Sequence, residues 1–444
     1  MIGKILAAAT VASAPAWLPG RVVALRMKIF SIVNGEDVVT IPGEQVGVED
    51  FRRVYADPAA NGRSRGAALS DLFWYWLAPG PEVHQEHLEP GPRYDEVAKC
   101  TRHILVKSRK DSENLARRCA AHVLDSVEPG LVRLRDEMMP IWSELYYELV
   151  FDEPCPPEAR KLIVDNADDV VSALKCVRPR NMRRRGRLTE YLRSRLDDIP
   201  HPLPDSLSTE ERAYYLQGTF FNTAVVQMSE AMAHLLMIVA QHPEVQQRLV
   251  ENPDDDAYLD RVIDEGLRAY PLFGIAHRIS TADIDLTHTT IPAGTVLCFS
   301  YPDYHQAGFE HPEEFDPERW CSHVVQSKKD TNFIPFGVTQ NRPCPARGLA
   351  PLTMRVVTRE VLHRFSLAST AGHTRSIPNR GPAVLTRRSH GESATAKARL
   401  GWLAVRDRWE DVWRSLAQLV FGTYMVIDAR RKRLCTTYFA GGQR

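Results

Sequence analysis

Excess charge of either sign is missing from this sequence: 56 lysines and arginines face 56 aspartates and glutamates over 444 residues. That removes the broad positive field of a nucleic-acid binder, and no nucleic-acid partner is expected. Local basic runs at residues 178–187 and 430–433 read as solvated loops. Paired cysteines are missing too. The eight cysteines, at 100, 119, 155, 176, 298, 321, 344 and 435, form no CxxC and no short repeat, so neither a zinc site nor a disulfide framework is suggested, and a reducing cytoplasm fits. Long hydrophobic runs are scarce. The small apolar run at residues 5–16 follows Lys4 and superficially resembles a secretory signal. It has one basic residue and is too short to span a bilayer, and no transmembrane segment is expected elsewhere. No internal repeat appears. What remains is an ordinary globular composition, 44% hydrophobic and 25% charged, long enough for one large domain or two smaller ones.

Three textures follow one another. Residues 1 to about 80 mix loops with strand-like pieces such as Val38-Val39-Thr40-Ile41, then reach an aromatic cluster, Phe73-Trp74-Tyr75-Trp76. From about 94 to 255 apolar residues recur at helical spacing. Residues 213–250 form the longest such pattern, and the nearly all-apolar 224–240 predicts a buried central helix broken at His242-Pro243. After 260 come a short helix over 257–270, strand pairs with turn signals, a Pro-rich stretch over 301–344, and a helix over 346–365. Residues 389–397 read as a linker. Beyond it Trp402, Val405, Trp409, Val412, Trp413, Leu416, Leu419 and Val420 share one helical face. That stripe predicts packing on the parent domain, on a second copy or on a partner.

The chemistry concentrates in Phe333-Ile334-Pro335-Phe336-Gly337-Val338-Thr339-Gln340-Asn341-Arg342-Pro343-Cys344-Pro345-Ala346-Arg347-Gly348. Here a cysteine sits in a Pro/Gly/Asn-rich loop directly before a predicted helix. The helix N-terminus, Arg342 and Arg347 all favour thiolate over thiol. On residue chemistry alone this is either a buried structural cysteine or an iron ligand.

Two further motifs precede that loop. Glu265-Gly266-Leu267-Arg268 lies about eighty residues upstream, and Phe315-Asp316-Pro317-Glu318-Arg319-Trp320 lies between. In order and spacing, the three resemble the cytochrome P450 family: an E-x-x-R helix, a P-E-R-F/W meander and a haem-binding cysteine loop. The resemblance covers about residues 30–388. It implies a mainly α fold with small β-sheets, a triangular helical body around one buried haem b. It implies that Cys344 ligates the iron and donates electron density to it. Arg342 and Arg278 match arginines that pair with haem propionates, as bidentate guanidinium suits a carboxylate, and Phe336 matches the aromatic residue covering the sulfur. Glu265, Arg268 and Arg319 match a structural ion triad. A further basic contact from an earlier helix is left open among His84, His87, Arg93, Lys99 and Arg102.

The sequence departs from the family in two places. The cysteine loop is one residue longer, with Gln340 and Ala346 where glycines are usual, which predicts altered hydrogen bonding near the sulfur. The central helix also lacks the family's acid–alcohol pair: Val226 and Gln227 occupy those places, and Asn222 and Thr223 lie one turn earlier. Thr223, Asn222 and Gln227 are therefore the candidate catalytic residues, with Thr223 expected to bond the carbonyl one turn back and open the helix ladder. The expected division is an N-terminal segment 1–29, an oxidase domain 30–388 and a C-terminal extension 389–444. The expected function is a cytoplasmic haem-thiolate monooxygenase acting on a small organic substrate, in specialised-metabolite biosynthesis. Substrate is expected between the central helix and the aromatic cluster at 73–76. Electrons would come from a separate ferredoxin or flavodoxin-type donor, and the helix over 402–420 would serve a dimer or partner contact. Two alternatives stay open: a peroxide-dependent or oxidative-coupling haem enzyme, and a non-catalytic haem-binding or interaction protein.

Overall fold

The computed structural model describes residues 2–35, 37–63, 67–272, 274–321, 327–372, 379–388 and 394–441. Its axis is the helical run Thr209–Gln241. A capping box starts it: the Ser208 side chain accepts from the Glu211 amide, and Glu211 reaches back to the Ser208 amide. His242 ends it, and Pro243 opens the next helix. The run has the length and hydropathy of a membrane span, yet most of its apolar window is buried inside the protein. It is a core helix. Phe220, Phe221, Val225, Met232, Leu236 and Met237 are fully buried against helix Leu134–Phe151 and its neighbours.

Three small sheets flank this helical body. In one, Val296–Ser300 is central, pairing parallel with Val38–Ile41 and antiparallel with Ile275–Ile279. In the second, Pro382–Arg387 lies between Gly130–Arg133 and Phe365–Ala368. The third is the two-residue pair Ile284–Asp285 and Thr290–Ile291. The mainly α architecture with small sheets is thus as expected.

The first eighty residues are more helical than expected. Helices Ile2–Asn34, Val48–Ala56 and Ala68–Leu77 replace most of the predicted loops, and Val38–Ile41 alone among the named pieces is a strand. The reason is tertiary. Ile2–Asn34 runs along the long C-terminal helix Ala394–Lys432, so a partner distant in sequence supplies the packing that local periodicity did not announce.

The aromatic cluster at 73–76 faces the same C-terminal region. Trp74 packs on Tyr438 and Phe439, and the Tyr75 hydroxyl donates to Asp428 at 2.9 Å. Asp71 accepts from the Thr436 amide and hydroxyl. These rings are committed to the seam with the chain's end, and only Phe73 turns the other way, stacked on His277 at 4.9 Å. Core packing, the reading that the cluster's composition slightly favours over a substrate cover, thus accounts for Trp74, Tyr75 and Trp76.

Candidate cofactor site

The E-x-x-R helix and the meander meet as the motif order implies. The Glu265 carboxylate accepts from Arg268 (2.8 and 2.8 Å), Arg319 (3.2 Å), the Trp320 indole (2.9 Å) and the Asp316 amide. Arg268 Nη2 also donates to the Pro312 and Glu314 carbonyls. Glu265 and Arg268 are fully buried. Such a network holds shape because either charge left alone there would be costly.

The cysteine loop is anchored on this frame. Gly337 turns it at φ +69°, and a Cβ there would lie 3.1 Å from the Tyr55 hydroxyl, so glycine is required. Val338 and Asn341 bridge to each other, leaving Thr339 and Gln340 exposed as a two-residue tip. The extra length is therefore taken up at the exposed tip, away from the sulfur. Asn341 fixes the returning strand by donating to the Asp57 carbonyl at 2.8 Å and the Ala60 carbonyl at 3.1 Å. The Cys344 amide then donates to the Phe336 carbonyl at 3.1 Å, and helix Leu349–Arg364 follows. The Ala346 amide points at the sulfur and lowers its pKa, as does Arg347, but burial dominates and pushes the thiol up to about 11. Arg342 adds nothing to the lowering, because it does not face the sulfur. Its guanidinium donates to the carbonyls of Asn61, Gln85 and Leu88 at 2.7–2.8 Å.

Arg342 belongs instead to a buried cationic cluster. Arg63, Arg278 and Arg342 are all under 8% exposed, as are His84, His87 and His277. Arg278 donates only to the carbonyls of Tyr55, Ala60 and Asn341 and lies over the Tyr55 ring. Among the described contacts neither Arg278 nor Arg342 has a carboxylate partner. Arg63 donates to the Glu86 and His277 carbonyls, with the Glu86 carboxylate at 3.7 Å. Burial and Arg63 hold Arg342 down to about 10, and burial keeps the His87 and His277 imidazoles well below their usual range. Three guanidinium groups gathered in a low-dielectric site with one carboxylate, Glu86, within ion-pair distance are unfavourable. A ligand bearing two carboxylates supplies what is missing, so the donor set fits the propionates of a haem. Of the five candidates for an extra basic contact, His84 and His87 lie in this region. Arg93 is engaged with Glu211 and Tyr438, and Lys99 and Arg102 are exposed.

The three candidate catalytic residues separate onto two faces. The central helix is π-helical over Gln217–Ala224, so its ladder is opened by an i→i+5 turn rather than by a hydroxyl. Thr223 makes no bond to the carbonyl one turn back, a correction to the expectation. Asn222 is fully occupied away from Thr223: it donates to the Leu77 carbonyl at 2.8 Å and accepts from Asn166 at 2.8 Å. Asn166 in turn accepts from Gln217, which accepts from Thr189. Thr223, Ala224 and Gln227 are partly exposed, while the rest of residues 217–240 is buried. One turn earlier Thr219 carries a buried hydroxyl without a partner. Thr219, Thr223 and Gln227 thus form one polar stripe.

Near that stripe His84, one of the five basic candidates, has a partner that the sequence did not single out, Glu82. Glu82 and His84, both 3% exposed, pair at 2.9 Å. They sit against the central helix where a Cβ on Gly218 would meet the His84 ring at 3.1 Å and a Glu82 oxygen at 3.4 Å. No motif marks Glu82 or Arg63; only the fold brings them in.

A cysteine presented at a helix start beside a buried cationic cradle and below an opened central helix defines the haem-thiolate class. The cytochrome P450 profile matches residues 159–392. Cytochrome P450 3A12 of dog is 34% identical over 155 residues, about 31% of each chain. A putative cytochrome P450 135B1 of Mycobacterium tuberculosis is 32% identical over 157 residues, 33% of this chain and 32% of the other. The aligned stretch thus spans about a third of the curated relatives. Solved structures agree over more of the fold. A cytochrome P450 of Thermus thermophilus superposes with TM-score 0.62 at 18% identity, covering 84% of this chain and 98% of that one. A cyanobacterial cytochrome P450 solved with retinoic acid gives TM-score 0.63 at 15% identity, covering 80% and 90%. The chain belongs to the cytochrome P450 family, oxidoreductases that use haem b.

Proposed function

We propose that this chain is a haem-thiolate monooxygenase acting on a small organic molecule. The observation that carries the reading is the pair of buried guanidinium groups, Arg278 and Arg342, that have no carboxylate partner among the described contacts, next to the loop that presents Cys344. Cys344 would hold the iron, Phe336 would cover the sulfur, and Arg342, Arg278 and Arg63 would hold the propionates. When bound, the haem supplies one-oxygen oxidation chemistry. The protein's share is orientation, dryness and protons. Thr223 and Gln227 face the partly open side of the central helix, where a hydroxyl and an amide can order water without carrying charge. Neither is an acid, and the nearest buried carboxyl identified against this helix is Glu82. Glu82, whose carboxylate lies 2.9 Å from the His84 imidazole, offers a proton donor beside Gly218, whereas the central helix's own buried carboxyl, Glu230, is engaged by Lys175 and Arg135. Asn222, saturated by Leu77 and Asn166, positions the opened turn and takes no part in proton delivery.

Electrons would enter from a separate ferredoxin or flavodoxin-type donor, for which the exposed Arg347 next to Cys344 offers a cation. Tailoring of a specialised metabolite is the role the family's chemistry suggests, and eight cysteines that form no disulfide suit a reducing cytoplasm. The reduced carbon-monoxide complex should show the red-shifted Soret band of thiolate ligation and lose it in Cys344→Ala. A histidine-type spectrum in the parent protein would overturn the assignment. A peroxide-driven reaction is favoured by one observation, the absence of an acid on the Thr219–Thr223–Gln227 stripe. Turnover with peroxide exceeding that with oxygen and reductase would select it.

A further inference from the structure

The long C-terminal helix is built inside out. Its exposed face carries Trp402, Val405, Trp409, Trp413, Leu416, Val420, Tyr424 and Ile427, each 38–70% exposed. Its inward face is held by polar bonds. Asp407 accepts from Asn379 at 2.7 Å and from the Gly372 amide at 2.8 Å. Glu410 pairs with Arg133 at 2.8 Å, Gln418 donates to the Lys175 carbonyl at 2.8 Å, and Asp428 accepts from Tyr75. Of the eight residues of the 402–420 stripe, only Val412 is buried, with Leu419 partly so, which speaks against the parent domain as its cover. These bonds fix the helix's rotation, so the apolar stripe cannot roll inward.

The stripe has a strict period. Trp402, Trp413 and Tyr424 are eleven apart, as are Val405, Leu416 and Ile427, and Trp409 and Val420. Eleven residues are three turns of a nearly straight helix, so the eight side chains stay in one line about 38 Å long. From their exposed fractions they present roughly 900 Å², above the about 300–600 Å² of an ordinary protein's largest patch. On the two helices the exposed charge is of one sign, and Glu128, from a neighbouring loop, is an exposed acid beside Trp402 at one end of the line. Arg399, Arg408, Arg431, Lys432 and Arg433 are exposed, as are Arg21 and Lys28 on the adjoining helix Ile2–Asn34. No acidic residue is exposed on either helix among the described side chains: Ile2–Asn34 has none, and Asp407, Glu410, Asp411 and Asp428 are buried or half-buried. Arg406 lies over the Trp402 ring and Arg21 over Trp17.

We infer that this two-helix layer docks the protein on an anionic lipid surface, with the 402–427 line in the headgroup–acyl boundary and the cations on lipid phosphates. An aromatic and aliphatic line on helices whose own exposed charges are all cations is the composition of an in-plane interfacial layer. A second copy fits less well. Cations stand at both ends of the line, so pairing in either direction sets like charges together.

The test uses the full-length holoprotein in flotation with vesicles of phosphatidylglycerol and phosphatidylcholine at 3:7, against pure phosphatidylcholine. Binding to the anionic vesicles should be at least tenfold tighter, should weaken in high salt, and should shift tryptophan emission to the blue. Trp409→Glu with Trp413→Glu should abolish it, and Arg408→Glu with Arg431→Glu should weaken it several-fold. Both pairs should keep the parent carbon-monoxide spectrum, since all four residues are exposed. Failure of the parent protein to bind, or undiminished binding by the tryptophan pair, would overturn the proposal. So would a stable dimer that the tryptophan pair dissociates and that excludes vesicles.

Discussion

Replacing Asn222 with leucine separates scaffold from chemistry on the central helix. Asn222 is 1% exposed and makes two bonds, to the Leu77 carbonyl and from the Asn166 amide. Leucine is of similar size, so packing changes little, but both partners are left buried without a bond. Each orphan costs about 1–3 kcal/mol, so Asn222→Leu should destabilise the holoprotein by about 2–5 kcal/mol. Thr223→Val is the control. It removes a hydroxyl that bonds nothing in the described structure, and its cost should stay near 0.5 kcal/mol, the size of an uncoupled substitution. Urea unfolding, followed by haem absorbance and by tryptophan emission, gives both numbers. Peroxide released per electron consumed reports the chemistry in the same variants. Asn222→Leu should be unstable but coupled, and Thr223→Val stable but leaky. The reverse pattern, a stable Asn222→Leu that leaks peroxide, would refute the assignment and put Asn222 in proton delivery.

Glu265→Ala strands the buried Arg268 guanidinium and should cost about 3–5 kcal/mol, read as a lower urea midpoint together with weaker haem retention. Glu82→Gln should raise peroxide release without moving the carbon-monoxide spectrum, and unchanged coupling would remove Glu82 from the proton path. Stability should fall on mild acidification. Burial pushes the His234 and His305 imidazoles down to about 4 and about 3, so between pH 6.5 and those values the unfolded chain binds protons that the folded chain refuses. Each unit of that gap is worth about 1.4 kcal/mol, and an unfolding midpoint that stays flat from pH 7 to 5 would contradict it. Glu230 acts lower. Burial alone would raise it, but Lys175 and Arg135 hold it down to about 2, so its contribution is present above its unfolded value of 4.5 and is lost only as pH falls towards 2.

The parts of the site legible in sequence are those where one short segment carries both the chemistry and its frame. Glu265, Arg268 and Arg319 lie in motifs whose spacing sets their meeting, and they meet. The cysteine loop announced itself by Pro, Gly and Asn. What it could not announce was where its extra residue goes: that depends on Asn341 reaching the Asp57 and Ala60 carbonyls, nearly three hundred residues away in sequence. Arg63 and Glu82 were invisible for the same reason. Each is an ordinary charged residue in an irregular segment, made special only by the strand and helix that close over it. Thr223 lies on the opened turn, but its hydroxyl is not what opens it, since a π-turn is a property of backbone and neighbours and has no side-chain signature here.

The C-terminal stripe teaches the opposite lesson about periodicity. Hydrophobic spacing says that a face exists, and burial is then inferred because most such faces point inward. Here the interleaved polar positions carry the deciding information. Asp407, Glu410, Gln418 and Asp428 also recur at helical spacing, and each finds a specific partner on the domain: Asn379, Arg133, the Lys175 carbonyl and Tyr75. Specific bonds with defined geometry beat a non-directional preference in setting rotation when the apolar face has somewhere else to go. An apolar face with a destination outside the chain leaves the polar face free to do the docking, so the helix faces the domain with its charged side. Breaking those anchors tests this directly. Asp407→Ala with Asp428→Ala should let the helix roll or detach, raising protease sensitivity around residues 389–397 while leaving the stripe's own residues unchanged. Unaltered proteolysis would mean that the apolar contacts of Leu403, Met425 and Val426, not the polar ones, set the rotation.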